Sequence, residues 1–260
     1  MSIWDTYKSR ITTHGETQRD VFLKREQRFL NQKLRNSLSY FDVLIDDEER
    51  KVSIIDSDNL NEKRICTLPG EDIHCGAIVT WMNNRWIVTE KDANNEVYTR
   101  AKLLQCNYLL KWVDDDDIIR EQWCVIEDGT KYLTGEIEDR NFIVTRGDSR
   151  VAMTITRNEH TVKFGRKHRF IIDDPCSPDS KMAYALTKPL KVGKTYNDEG
   201  VFSFVLQEVT TTNDDNLELG IADYYKHFGF ISKDEPYNPK KEPSISPDDS
   251  TTESGKKVWL

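Results

Sequence analysis

CGAIVTWMNNRWIVTEKDANNEVYTRAKLLQCNYLLKW, residues 75–112, is a succession of short β-branched and aromatic runs separated by Asn and Asp. Runs of this kind read as strands, and the pairs Asn83-Asn84 and Asn94-Asn95 supply the positive φ that tight hairpins need. The same punctuation continues on both sides of the stretch. It predicts strands at 42–45, 51–55, 73–81, 85–90, 97–105, 108–113, 118–126, 131–137, 141–146 and 150–156, with a further turn at Asp128-Gly129. A second group follows at 170–172, 182–187 and 201–209. Short strands with regular turns predict a mainly β protein with an antiparallel barrel or sandwich core.

Residues 1–36 read differently, as two helices around His14-Gly15. Trp4, Tyr7 and Ile11 recur at helical spacing, and Thr17 is a candidate cap for a second helix carrying Val21, Phe22, Leu23, Phe29, Leu30 and Leu34. At the other end, residues 231–260 are rich in Pro, Ser, Asp and Lys, a composition that offers little apolar surface to offset the entropy of ordering, yet they finish in Val258-Trp259-Leu260. A basic polar segment, 157–167, marks a junction between the two groups of strands. The expected organisation is a helical arm over 1–39, a β-barrel-like domain over 40–165, a small β-sandwich-like module over 166–230 and an extended tail over 231–260. A length of 260 residues fits one large β domain or two smaller ones.

Net charge is −8, distributed unevenly: residues 1–40 hold eight Lys or Arg against four acids, leaving +4 there and −12 on the rest. A basic arm on an acidic body fits two faces that meet different surfaces, among them the acidic patch of a neighbouring copy; a solvated amphipathic helix is the plainer alternative. No apolar run reaches membrane-spanning length and the N-terminus lacks a signal-peptide pattern, so a protein neither spanning nor secreted is expected. Cys66, Cys75, Cys106, Cys124 and Cys176 are odd in number and scattered, which favours reduced core thiols.

The search for chemistry yields expected absences: no catalytic, cofactor-binding or metal site. Asp114 to Asp117 is a run of four carboxylates, but the alternate ligands, glycine and glutamate of a calcium loop are missing, so it reads as an exposed charged turn. His74-Cys75 with Cys66 fits no zinc spacing and reads as core. Glu127-Asp128-Gly129 sits at a hairpin tip, where neither carboxylate gains the burial an acid catalyst needs. Serine-nucleophile, zinc-protease and phosphate-loop motifs are absent. Trp81, Trp86, Trp112 and Trp123 are interleaved with strand apolars rather than with Lys and Arg, which makes them core residues instead of a nucleic-acid platform.

Gly76, Trp81 with Trp86, the strand over 98–104 and Cys106-Asn107 together resemble the β-barrel of head-closure or connector proteins in the neck of siphovirus-like tailed phages of Gram-positive hosts. EQWCVIEDGTKYLTGE (121–136) and GVFSFVLQEVTTTNDDN (200–216) continue the likeness, which covers 40–225. It implies a ring of subunits joining portal or adaptor to tail and closing or lining the DNA channel. Its partners would be copies of itself, portal or adaptor proteins and tail proteins, with DNA passing nearby without specific binding, no cofactor and no membrane. The place would be the virion neck, after synthesis in the host cytoplasm. No functional residue carries over individually; exposure logic names Trp4, Phe22 and Phe29 of the arm, with Trp259 and Leu260 of the tail, as partner-binding. A distal-tail or tail-terminator protein is one alternative. A carbohydrate-binding or hydrolytic β-sandwich is another, and it would require tryptophans clustered on the surface around a cleft.

Overall fold

A computed structural model describes residues 3–4, 6–7, 17–92, 95–128, 150–172, 181–189, 191–192, 194–196 and 198–229. The strands expected at 131–137 and 141–146, Gly129 of the expected Asp128-Gly129 turn, Cys176 and the tail over 231–260 lie outside them. The fold is mainly β and antiparallel, as the sequence predicts. The chain forms two compact units. The first comprises Met1–Asn107, Thr154–Asn158 and Lys191–Ser203, and the second Tyr108–Met153, Glu159–Leu190 and Phe204–Leu260. Their division falls after Asn107, whereas the sequence reading sets its junction at 157–167.

In the first unit, helix α1 (Gln18–Arg35) starts where Thr17 caps it. Thr17 Oγ1 accepts from the Asp20 N–H at 3.2 Å and Asp20 Oδ2 accepts from the Thr17 N–H at 3.1 Å, a reciprocal capping box. Six strands follow: β1 (Tyr40–Ile45), β2 (Glu48–Asp56), β3 (Glu62–Cys66), β4 (Ile78–Trp81), β5 (Asn84–Lys91) and β6 (Arg100–Gln105). They close into a barrel in the order β1-β2-β3-β6-β5-β4, the seam being Leu44 against Thr80 and Ile45 against Val79. Closure leaves none of these six strands at an open edge.

Residues two apart point to the same side of a strand. Val43 and Ile45, Val52 and Ile54, Trp86 and Val88, and Ala101 and Leu103 therefore fill one shared interior with Ile65 and Val79.

Two hairpins turn on two residues each. Asp46 (φ 47°) and Asp47 (φ 66°) join β1 to β2, while Met82 (φ 48°) and Asn83 (φ 62°) join β4 to β5. The second differs from the Asn83-Asn84 reading: Asn84 pairs with Trp81 as the first residue of β5, so the positive-φ positions move back by one. β3 is absent from the sequence reading, because Glu62-Lys63-Arg64 hides its alternation behind three charges.

The late segments of the first unit attach through glycine. The Gly76 N–H donates to Val88 O at 2.8 Å, the Gly200 N–H to Cys75 O at 2.9 Å and the Arg157 N–H to Gly200 O at 3.0 Å. Thr156 Oγ1 donates to Gly76 O at 2.7 Å. At φ +92° a Cβ on Gly76 would stand 2.4 Å from Gly200 O, a distance that backbone cannot yield cheaply.

The second sheet contains β7 (Tyr108–Val113), β8 (Ile119–Asp128), β9 (Arg150–Thr156), β10 (Arg169–Ile172), β11 (Met182–Lys188) and β13 (Glu199–Val209), in the order β10-β11-β13-β9-β8-β7. The short β12 (Thr195–Tyr196) pairs with β13. In the second unit Phe164 is buried at the centre of an aromatic cluster, edge-on to Trp112 and to Phe170 at 5.1 Å each. A short helix α2 (Tyr224–Phe228) packs Tyr224 on Val113, Ile119 and Ile221. β7 and β10 stand at the two ends of the strand order, and Tyr108 Oη donates to Ile171 O at 3.2 Å, so the sheet curls toward itself.

Gly76→Ala is expected to cost about 2–4 kcal/mol, since both the φ angle and the approach of Gly200 O oppose a side chain. Denaturant unfolding measures this, and an unchanged midpoint would mean that the segment around Gly200 is not held as described.

Candidate functional site

Helix α1 presents two apolar surfaces rather than one. Leu23, Leu30 and Leu34 are half-buried together with Gln27, at the i, i+3, i+4 spacing of a single face. That face is turned to its own unit, where Gln27 Nε2 donates to Glu96 O at 3.3 Å and Arg19 holds the Glu96 carboxylate by two hydrogen bonds of 2.7 Å. Phe22 and Phe29, seven residues apart, fall on a separate face and are 54% and 59% exposed. Arg25 lies between them on the helix surface, and Lys33 Nζ stands 6.0 Å from the centre of the Phe29 ring. Trp4 is also exposed, edge-on to Tyr7 at 6.0 Å. Trp259 and Leu260 lie outside the described residues.

The run Asp114 to Asp117 departs from its reading as an exposed turn. Asp114 is buried, with only the three that follow it exposed. His160 Nδ1 donates to its Oδ2 at 2.6 Å, Lys163 Nζ reaches Oδ1 at 3.2 Å and the Asp115 N–H donates to Oδ1 at 2.9 Å. Burial pushes the Asp114 carboxyl up, but these hydrogen bonds outweigh it and hold the group below the usual carboxylate range. At the other end of the run, Asp117 Oδ1 accepts from His227 Nδ1 at 2.7 Å.

A second ionic centre lies on β10. The Arg169 guanidinium meets Asp215 Oδ2 at 2.7 Å and Asp223 Oδ1 at 2.9 Å, and the Thr212 and Asp223 N–H groups also donate to Asp215. Asp215 is likewise pushed up by burial and, on balance, held low by those donors. These centres fasten loops to strands. Sequence reasoning misses them, since their partners are separated by 46 to 54 positions in the Asp114–His160, Arg169–Asp215 and Arg169–Asp223 pairs.

The cysteines, histidine and tryptophans singled out in the sequence are engaged elsewhere. Cys66, Cys75, Cys106 and Cys124 are free and buried, and burial pushes the Cys106 thiol up to about 12. His74 is exposed beside Asp46 at 3.6 Å, which corrects its reading as core. Among the described residues, no group of three or more His, Cys, Asp or Glu gathers as a metal site, and no helix is long and apolar enough to cross a membrane. Trp86 and Trp112 are buried; Trp81 is half-buried against Phe41 and Trp86, and Trp123 is half-buried. These four form no exposed cluster. An open concavity of about 650 Å³ lies beside the end of α1. Its cations are already engaged, Arg50 with Glu48, Lys51 with Asp42 and Arg35 with Asn31.

Residues 8–105 match the family model of the YomX N-terminal domain, a phage-associated family. The match is well under half of the chain; it takes in α1 and all six barrel strands and ends on the last residue of β6. No curated protein and no solved structure matches the chain. Over that segment, therefore, the chain is similar to a phage-associated domain built here as a closed barrel with a helix outside it.

Because Asp114 and Asp215 are depressed in the folded state, their contribution to stability is complete above the ordinary carboxylate pKa of about 4 and is lost as pH falls below it. Asp114→Asn should lower stability at neutral pH by about 1–3 kcal/mol, because the His160 ring N–H and the Asp115 N–H lose a buried carboxylate acceptor and Lys163 loses its counter-charge. The same variant should flatten the loss of stability below a pH of about 4. Melting curves taken from neutral into acid conditions test both expectations, and an Asp114→Asn variant with the parent's acid profile would show that the cluster contributes nothing.

Proposed function

We propose that this chain is a structural protein of the phage neck, forming a ring that joins the head to the tail and closes or lines the DNA channel. The match of residues 8–105 to a phage-associated domain carries the reading. The resemblance of residues 40–225 to head-closure and connector proteins supplies its place in the particle. Two further observations support it. A closed barrel is a rigid block with no strand edge open to aggregation, and such a block suits a collar that bears load. The net charge of −8 disfavours phosphate binding, which depends on neutralisation by cations, so packaged DNA would pass without being gripped.

On this reading the chain performs no covalent chemistry and needs no cofactor. Its partners are copies of itself, the portal or adaptor above and the tail proteins below.

Immunogold labelling of purified particles tests the place. Label at the head–tail junction is expected; label at the far tip or along the tail would assign the chain to a tail component, and particles without the chain would end the proposal. Deletion of residues 231–260 should leave the isolated protein folded by circular dichroism while reducing its incorporation into particles. Normal incorporation of the truncated chain would remove any part for Trp259 and Leu260.

A further inference from the structure

The turn between β7 and β8 is gripped at both of its ends by histidine. At one end the buried Asp114 accepts from His160 Nδ1 at 2.6 Å, and at the other Asp117 Oδ1 accepts from His227 Nδ1 at 2.7 Å. The two rings come from different segments, His160 from the residues leading into a 3-10 turn at Thr161–Lys163 and His227 from helix α2. All of these residues belong to the second unit.

The groups around each ring decide which protonation state the site fits. His160 has a carboxylate at both nitrogens, Asp114 at Nδ1 and Glu159 Oε1 at 3.2 Å from Nε2. A neutral ring that donates through Nδ1 turns a lone pair on Nε2 toward Glu159, whereas an imidazolium donates to both. Lys163 Nζ at 3.2 Å and Arg120 Nε at 3.8 Å also face Asp114 and resist a further positive charge, while Asp115, 3.9 Å from Lys163, favours one. Three carboxylates against two cations leave the site negative and suited to an imidazolium. His227 is faced by Asp117, and on its own helix Lys226 is paired with Asp223 and, at 4.0 Å, with Asp214. The His168 ring, which burial keeps neutral, adds no like charge.

We propose that this turn and helix α2 form a proton-operated latch. With His160 and His227 protonated, two ion pairs grip the turn. With both neutral, the grip falls to hydrogen bonds from uncharged donors, which are roughly half as strong. Helix α2 then opens more often from the apolar cluster of Val113, Ile119 and Ile221 on which it packs Tyr224. Histidine is the side chain whose charge ordinarily changes between about pH 5 and 8. Stabilisation by the latch is therefore complete below that range and lost as pH rises through it, the opposite sense to the loss at Asp114 and Asp215 below a pH of about 4. The Asp114 end is the stronger, because Asp114 is buried whereas the Asp117 side chain is 60% exposed.

Melting and hydrogen exchange of the full chain, from about pH 8 to about pH 5.5, test the latch. His160→Gln and His227→Gln each keep an N–H donor and remove the titration. The parent's melting midpoint should exceed that of the double variant by about 2–4 °C more at the acid end of the range than at the alkaline end. Taking the difference at each pH cancels His168, which both chains share and which favours unfolding on acidification. His160→Gln alone should remove most of the effect. Exchange protection, corrected for the intrinsic rate, should rise toward acid pH over 108–119 and 221–228 in the parent and stay flat there in the double variant. Barrel strands of the first unit should exchange alike in both, which also reports that the variant folds. His74→Gln, which alters a ring 3.6 Å from Asp46 in the first unit, should leave the turn as in the parent. A gap between parent and double variant that is independent of pH, or that widens toward alkaline pH, overturns the latch. So does equal protection of the parent's turn and α2 at both ends of the range.

Discussion

Leu44 against Thr80 and Ile45 against Val79 close the first sheet on itself, and that closure decides which side of every barrel strand is dry. Once β1 and β4 are joined, the interior belongs to Val43, Val52, Ile65, Trp86, Leu103 and their neighbours. No residue of α1 is buried among them. Helix α1 must therefore lie outside, satisfied on one side by Glu96 and left with Phe22 and Phe29 on a separate face. Exposed aromatics on a capped helix are a direct result of a core that closes without them.

The second unit is held in a different way. Its aromatic cluster about Phe164 supplies apolar burial, while Asp114 and Asp215, both buried, anchor the segments around it through His160, Lys163 and Arg169. A buried carboxylate with its partners removed costs more than the pair contributes. Such centres consequently fix loop geometry more than they raise stability. Burial also keeps the His168 ring, which packs 4.7 Å from Phe164 and 4.9 Å from Phe170, below its ordinary pKa and so neutral at a pH of about 7.

Much of this architecture is legible in the sequence wherever it is local. Thr17 and Asp20 announce the start of α1, the alternation Trp86-Val88 and Ala101-Leu103 marks barrel strands, and β7 and β9 begin and end where their patterns do. What stays hidden is non-local. The single apolar face expected for α1 divides in two because burial depends on what the helix rests against, which its own periodicity does not reveal. Asp114 looks like its three neighbours in the run and is set apart from them by His160 and Lys163, residues 46 and 49 positions away. The return of Thr154–Asn158 and Lys191–Ser203 to the first unit likewise depends on pairing across long separations, so a junction drawn from composition at 157–167 has no means of finding it.

A closed barrel, an outward helix with an exposed pair of phenylalanines and a second unit pinned by buried carboxylates are the features on which the proposed structural role rests. A reconstruction of the intact particle at side-chain resolution tests that role most directly. The account predicts this barrel repeated around the particle axis at the head–tail junction. The same barrel standing singly, or absent from that junction, would contradict it.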